Sequence, residues 1–152
     1  VTKLVIDASV AVKWVITESA TKEAVQLLEA SSLAAPDLLP DLLIAECANI
    51  LCKKVQRQEL SPHEALMAAR LLERADIEIY PTRHLLETAT RIAIDLNHAA
   101  YDCIYLGFAM ANHWQFVTAD DRLLNKLRQA RSPTYGQATL SVGDAIAQMR
   151  AS

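Results

Sequence analysis

Four carboxylates sit where a charge is awkward: Asp7, Glu46, Asp102 and Asp120. Asp7 ends the apolar run Leu4-Val5-Ile6 and is followed by Ala8-Ser9. Asp120 follows Phe116-Val117-Thr118-Ala119 in the same way, a β-type run closing in a hydroxyl and a carboxylate. Glu46 interrupts Leu42-Leu43-Ile44-Ala45 and Cys47-Ala48, and Asn49 falls three residues later on the same helical face. Asp102 opens the apolar stretch Cys103-Ile104-Tyr105-Leu106. Each acid has a structural explanation of its own. Asp7 or Ser9 can cap the helix that follows, and so can Asp120, or Thr118 paired with Asp121. Asp102 gains from the helix dipole, and Glu46 can lie on a polar edge. Together the four suggest more. Ligands collect at the carboxyl ends of parallel strands, where Asp7 and Asp120 both fall. Carboxylates gathered there repel and raise one another's pKa. A hard divalent cation, Mg²⁺ or Mn²⁺, relieves that repulsion through oxygen ligands.

No softer-metal pattern competes. Cys47, Cys52 and Cys103 lack zinc-site spacing. Cys47 and Cys52 lie in an apolar helical run and read as buried free thiols, in keeping with a reducing compartment. His63, His84, His98 and His113 are scattered and read as surface or capping residues.

The elements that must position these acids follow from the pattern. Lys3–Ile6 reads as a strand and Ala8–Ile16 as a short helix, with a second helix from Ser19 to Ala30 and a short strand at Leu33–Pro36. Pro40-Asp41 is expected to open a long helix to about Arg57. Ser61-Pro62-His63-Glu64 is a capping box with proline in the first turn, starting a helix to Arg74. Ile77–Tyr80 alternates as a strand, and Arg83–Leu96 and Ala99–Ala111 follow as helices that meet at Asn97 or His98. Trp114–Thr118 is a strand and Asp120–Ala130 an amphipathic helix. Ser132–Gln137 reads as a loop, Ala138–Leu140 as a last strand, and a helix begins at Ser141. Strands alternating with helices argue for a parallel sheet covered on both faces.

The chain of 152 residues suits one domain, residues 1–152, with a sizeable core. It is 52% hydrophobic and 22% charged, with a net charge of −3. That sign is unusual for a nucleic-acid binder, so any such activity needs local basic residues or bound cations. Apolar stretches stop short of a membrane span, and no basic segment followed by an apolar one opens the sequence. A cytoplasmic protein is the expectation.

At these residues the sequence resembles the PIN-domain family and, within it, the VapC toxins of prokaryotic toxin–antitoxin pairs. The likeness runs through Val5-Ile6-Asp7-Ala8-Ser9, Lys13-Trp14 with Glu18, and Glu46-Cys47-Ala48-Asn49. It continues through Tyr101-Asp102-Cys103-Ile104-Tyr105-Leu106 and Val117-Thr118-Ala119-Asp120-Asp121-Arg122-Leu123. Cys103 departs from the small residue common after the aspartate. The resemblance implies a three-layer α/β/α sandwich with a parallel sheet of about five strands. It implies an endoribonuclease using Mg²⁺ or Mn²⁺, with Asp7, Glu46, Asp102 and Asp120 as catalytic and metal-binding residues. Ser9, Asn49 and Thr118 would support them, and Asp121 is either a second-metal ligand or a helix cap. Lys13, Arg122 and Lys126 either hold an RNA backbone or are solvated. The implied partners are RNA, a VapB-like antitoxin and a second copy in a homodimer. The aliphatic helices at 39–51 and 66–72 offer apolar surface for such partners, although most of these positions suit a core.

Two other readings fit an α/β chain with an acid at a strand end. A receiver-like phospho-acceptor needs an acidic pair at the first strand and a lysine after the last. Leu4-Val5-Ile6-Asp7 has no second acid before it, and Thr139-Leu140-Ser141 brings no lysine. A non-catalytic binding module has no need of all four acids.

Overall fold

A computed structural model describes residues 3–16 and 37–151. The expected helix at 19–30, the strand at 33–36 and Glu18 lie outside the described residues. Five strands are described: β1 (Leu4–Ile6), β2 (Asp37–Pro40), β3 (Ile77–Tyr80), β4 (Gln115–Thr118) and β5 (Thr139–Ser141). All pairings are parallel. β1 pairs with β4, placing Ile6 opposite Val117, and β4 pairs with β5, placing Thr118 opposite Ser141. The described strands thus form a three-stranded sheet in the order β1, β4, β5, and β2 pairs with β3 in a separate two-stranded sheet that packs beside β1. With helices packed on the sheet, this is the α/β sandwich implied by the resemblance.

The helices are α1 (Ala8–Lys13), α2 (Leu42–Gln56), α3 (Pro62–Glu73), α4 (Leu86–Leu96), α5 (Ala100–Ala111), α6 (Asp121–Gln129), α7 (Pro133–Gln137) and α8 (Val142–Arg150). None among the described residues is long and apolar enough to cross a membrane. α5 lies across β1, β2 and β4. Its buried run, Cys103 and Tyr105 to Ala109, explains why it reads as apolar nearly all round. Tyr105 stacks on Phe116 of β4 with ring centroids 5.9 Å apart, and Phe108 meets Trp114 edge-on at 5.8 Å. α4 packs closely on α5 at Gly107, where a β-carbon would stand 3.3 Å from the Thr88 methyl.

Three expectations need correction. Pro40 ends β2 rather than opening a helix. It stands opposite Tyr80, the next residue Asp41 donates its N–H to the Tyr80 carbonyl at 2.9 Å, and α2 starts at Leu42. Residues 133–137 form a helical turn with Pro133 in its first position, not a loop. Cys52 is exposed, because the buried stripe of α2 is Leu43, Cys47 and Leu51, and Cys52 lies about 100° round from Leu51. Cys47 and Cys103 are buried thiols, pushed up to about 12 and about 11.

Candidate active site

Short strands stop and helices start at one end of the sheet, which brings distant acids together. Asp7 directly follows β1 and caps α1: its Oδ1 accepts from the Val10 N–H at 3.1 Å and the Ser9 hydroxyl at 2.5 Å. Asp120, after β4, caps α6 with Oδ1, which accepts from the N–H groups of Arg122 at 2.9 Å and Leu123 at 3.3 Å. Because β1 and β4 are neighbours, the two acids are joined by one side chain. Thr118, fully buried at the end of β4, donates its hydroxyl to Asp7 Oδ2 at 3.0 Å and accepts from the Asp120 N–H at 3.0 Å. The capping explanation for Asp120 is correct, and one of its oxygens is left over.

That oxygen faces α5. Asp120 Oδ2 lies 3.8 Å from His98 Nε2, and the same nitrogen donates to Asp102 Oδ2 at 2.6 Å. His98, Asp102 and Asp120 thus present three ligand atoms within 4.8 Å of one another. Asp102 is the electrostatic hub. Burial raises its pKa, the His98 bond lowers it, and Asp120 raises it again. Asp102 in turn raises both Asp7 and Glu46. Asp7, only 3% exposed, is pushed up to about 6 by burial, with its hydroxyl and amide donors opposing. Glu46 is pushed up to about 7 by burial and by the charges of Asp102 and Asp7. Among the described residues its Oε1 is buried without a hydrogen-bond partner, as is the hydroxyl of Tyr105. Burial raises the Tyr105 phenol above its ordinary range, and Glu46 and Asp7 add to the rise.

Asp102 thus couples to Asp7, Glu46 and Asp120, and among the described residues the atoms close enough to share one ion are those of His98, Asp102 and Asp120. Charges that cost this much to gather, together with a buried carboxylate oxygen lacking a donor, fit a hard divalent cation. Ser9 and Thr118 sit where support was expected. Asn49 and Asp121 are exposed, Asp121 in the first turn of α6. Arg122 is also exposed, while Lys126 donates to the Asn97 carbonyl at 2.5 Å. Sequence reasoning undervalued His98 and passed over Tyr105. The available signal was spacing: His98 stands four residues before Asp102 across the start of a helix, so both reach the same side.

An open parallel sheet with acids converging at its carboxyl edge defines a class of α/β domain built around an anionic cleft. The PIN domain matches residues 4–129. Over 130 residues the chain is 32% identical to VapC ribonuclease Mb0985 of Mycobacterium bovis and to ribonuclease VapC9 of Mycobacterium tuberculosis. Each match covers 86% of this chain and 94% of the relative. The solved structure of PAE2754 from Pyrobaculum aerophilum superposes with a TM-score of 0.68 at 18% identity, over 99% of this chain and 91% of that one, a likeness of fold. The chain belongs to the PIN-domain family.

Proposed function

We propose that this protein is a VapC-type toxin, an endoribonuclease that hydrolyses RNA phosphodiesters with Mg²⁺ or Mn²⁺. One observation carries the proposal: Asp102 lies within ligand distance of Asp120 and His98 and is coupled electrostatically to Asp7 and Glu46, while Glu46 keeps a buried oxygen without a donor among the described residues. The relatives named as ribonucleases support it. These four residues would hold the cation, which when bound activates a water and offsets charge on the phosphate. Thr118 fixes the distance between Asp7 and Asp120, and Ser9 orients the Asp7 carboxylate. Burial of Asp7 keeps bulk water from its oxygens. Lys13 and Arg122 stand near the ends of the capped helices, where they can take backbone phosphates. The expected products are a 5′-phosphate and a 3′-hydroxyl.

A toxin of this kind works in the cytoplasm, pairs with a VapB-like antitoxin and forms a homodimer. Exposed Ile44, Leu66, Met67 and Leu71 on α2 and α3 support a protein-binding face, while Leu39, Leu43 and Leu51 belong to the core.

The test is cleavage of RNA by the purified protein in Mg²⁺ or Mn²⁺, in EDTA, and by Asp7→Asn. Cleavage is expected only for the wild type with metal, and excess Mn²⁺ should restore what EDTA removes. Equal cleavage under all three conditions would sink the proposal.

A further inference from the structure

His98 is held in place from several sides. It follows Asn97, whose backbone is left-handed with φ of 47°, and its own N–H donates to the Ala93 carbonyl at 3.1 Å. Lys126 clamps the Asn97 carbonyl from α6. The His98 side chain is only 8% exposed, and its Nε2 points between two of the four acids, 2.6 Å from Asp102 Oδ2 and 3.8 Å from Asp120 Oδ2. Ligands of an octahedral ion at ~2.1 Å stand about 3 Å apart when adjacent and about 4.2 Å apart when opposite. Both observed separations are within a few tenths of an ångström of those values. The hydroxyl of Tyr105, fully buried and without a hydrogen-bond partner among the described residues, feels the charges of Glu46, Asp7 and Asp102.

We propose that His98 Nε2 is a ligand of the divalent cation together with Asp102 Oδ2 and Asp120 Oδ2, so that this centre prefers Mn²⁺ and other first-row transition ions to Mg²⁺. The proposal rests on the metal-dependent function above. An imidazole nitrogen suits transition ions, whereas Mg²⁺ takes oxygen and water. On binding, Nε2 gives up its proton to solvent and takes the ion in its place, and the neutral ring carries its one hydrogen on Nδ1. An all-carboxylate pocket has no comparable reason to discriminate. His98 thereby sets which ion is retained, and Asp102 and Asp120 are drawn into one coordination sphere.

The experiment uses the intact protein with Mn²⁺ and Mg²⁺ as probes and reads binding directly. Pulsed electron paramagnetic resonance of the Mn²⁺ complex should show nitrogen coupling from an imidazole, and His98→Gln should abolish it. Gln keeps an N–H donor for Asp102, so hydrogen bonding alone survives the change. Calorimetric titration should show His98→Gln lowering Mn²⁺ affinity by about ten- to a hundredfold. Mg²⁺ affinity should change by less than about threefold, since its oxygen ligands are untouched. Bound Mn²⁺ without nitrogen coupling overturns the proposal, as does coupling that survives in His98→Gln. Equal loss of both ions would make His98 an orienting group only, and that too overturns it. If the wild type bound neither ion, the metal-dependent function itself would fail. A wild type that binds Mn²⁺ through oxygens alone removes only the role of His98.

Discussion

Asp7 and Asp120 each divide their labour between two oxygens. One oxygen caps a helix, and the other faces a neighbour across the cleft. In the sequence, capping and chemistry stand as rival explanations of each acid. They are compatible, because a cap uses one lone-pair site of a group that has about four. Thr118 and Tyr105 show how differently two buried hydroxyls can behave. Thr118→Val removes a donor from Asp7 in buried surroundings and an acceptor from the half-buried Asp120 N–H. A loss of about 1–3 kcal/mol is expected in denaturant unfolding, together with weaker metal binding. Tyr105→Phe removes an oxygen that has no partner while keeping the ring stacked on Phe116. The apoprotein should be unchanged or more stable by up to about 1 kcal/mol. A large loss there would mean that the phenol makes a bond essential to the fold. The acids were legible as residues that resist burial. His98 was not, because its importance lies in a turn that sequence spacing shows only weakly.

The element that sets His98 and Asp102 against β4 is the three-residue joint between α4 and α5, Asn97 to Ala99. Asn97 ends α4 in the left-handed region, with φ 47° and ψ 52°, which a residue with an ordinary β-carbon adopts only at a cost. Asn97→Gly should leave unfolding free energy unchanged or slightly raised. Asn97→Ala should lower it by about 1 kcal/mol and weaken metal binding through a displaced His98. Equal stabilities for the two variants would argue against backbone conformation as the reason for asparagine. Most element identities were legible from local chemistry: the Ser61–Glu64 capping box is present as both hydrogen bonds, at 2.9 and 3.1 Å. The misplaced start of α2 has a physical cause. Proline fixes the same φ at the end of a strand as in the first turn of a helix, so Pro40 fits either role locally. The choice is made by β3, and the Asp41–Tyr80 hydrogen bond spans residues that no local window contains.

For the whole molecule, the gathered acids make stability depend on pH in a direction opposite to that of ordinary salt-bridged carboxylates. Asp7 and Glu46 have folded pKa values of about 6 and about 7, above their ordinary values. Between about pH 4 and those values the folded chain binds more protons than the unfolded one, so stability falls as pH rises. Below about pH 4 both states are protonated and the dependence ends. For Asp7, almost wholly buried, a shift of about 2 units corresponds to a loss on the order of 3 kcal/mol between pH 4 and 8. For a chain of this length that is a drop of several degrees in melting temperature. A cation bound to the ionised acids acts in the opposite sense, stabilising the folded state by mass action and most strongly where protons no longer compete. Melting temperature in EDTA should therefore decline from pH 5 to pH 8, and saturating Mn²⁺ should raise it more at pH 8 than at pH 5. Asp7→Asn removes the most deeply buried contributor, so its melting curve should be flatter than that of the wild type. Taking the difference between the two proteins at each pH cancels the titration of groups that Asp7 does not influence, and the part of the Glu46 shift due to the Asp7 charge goes with Asp7. A difference that stays constant from pH 5 to 8 would show that Asp7 ionises in the folded protein as it does in water, and the electrostatic strain that calls for a cation would be absent at its most buried member.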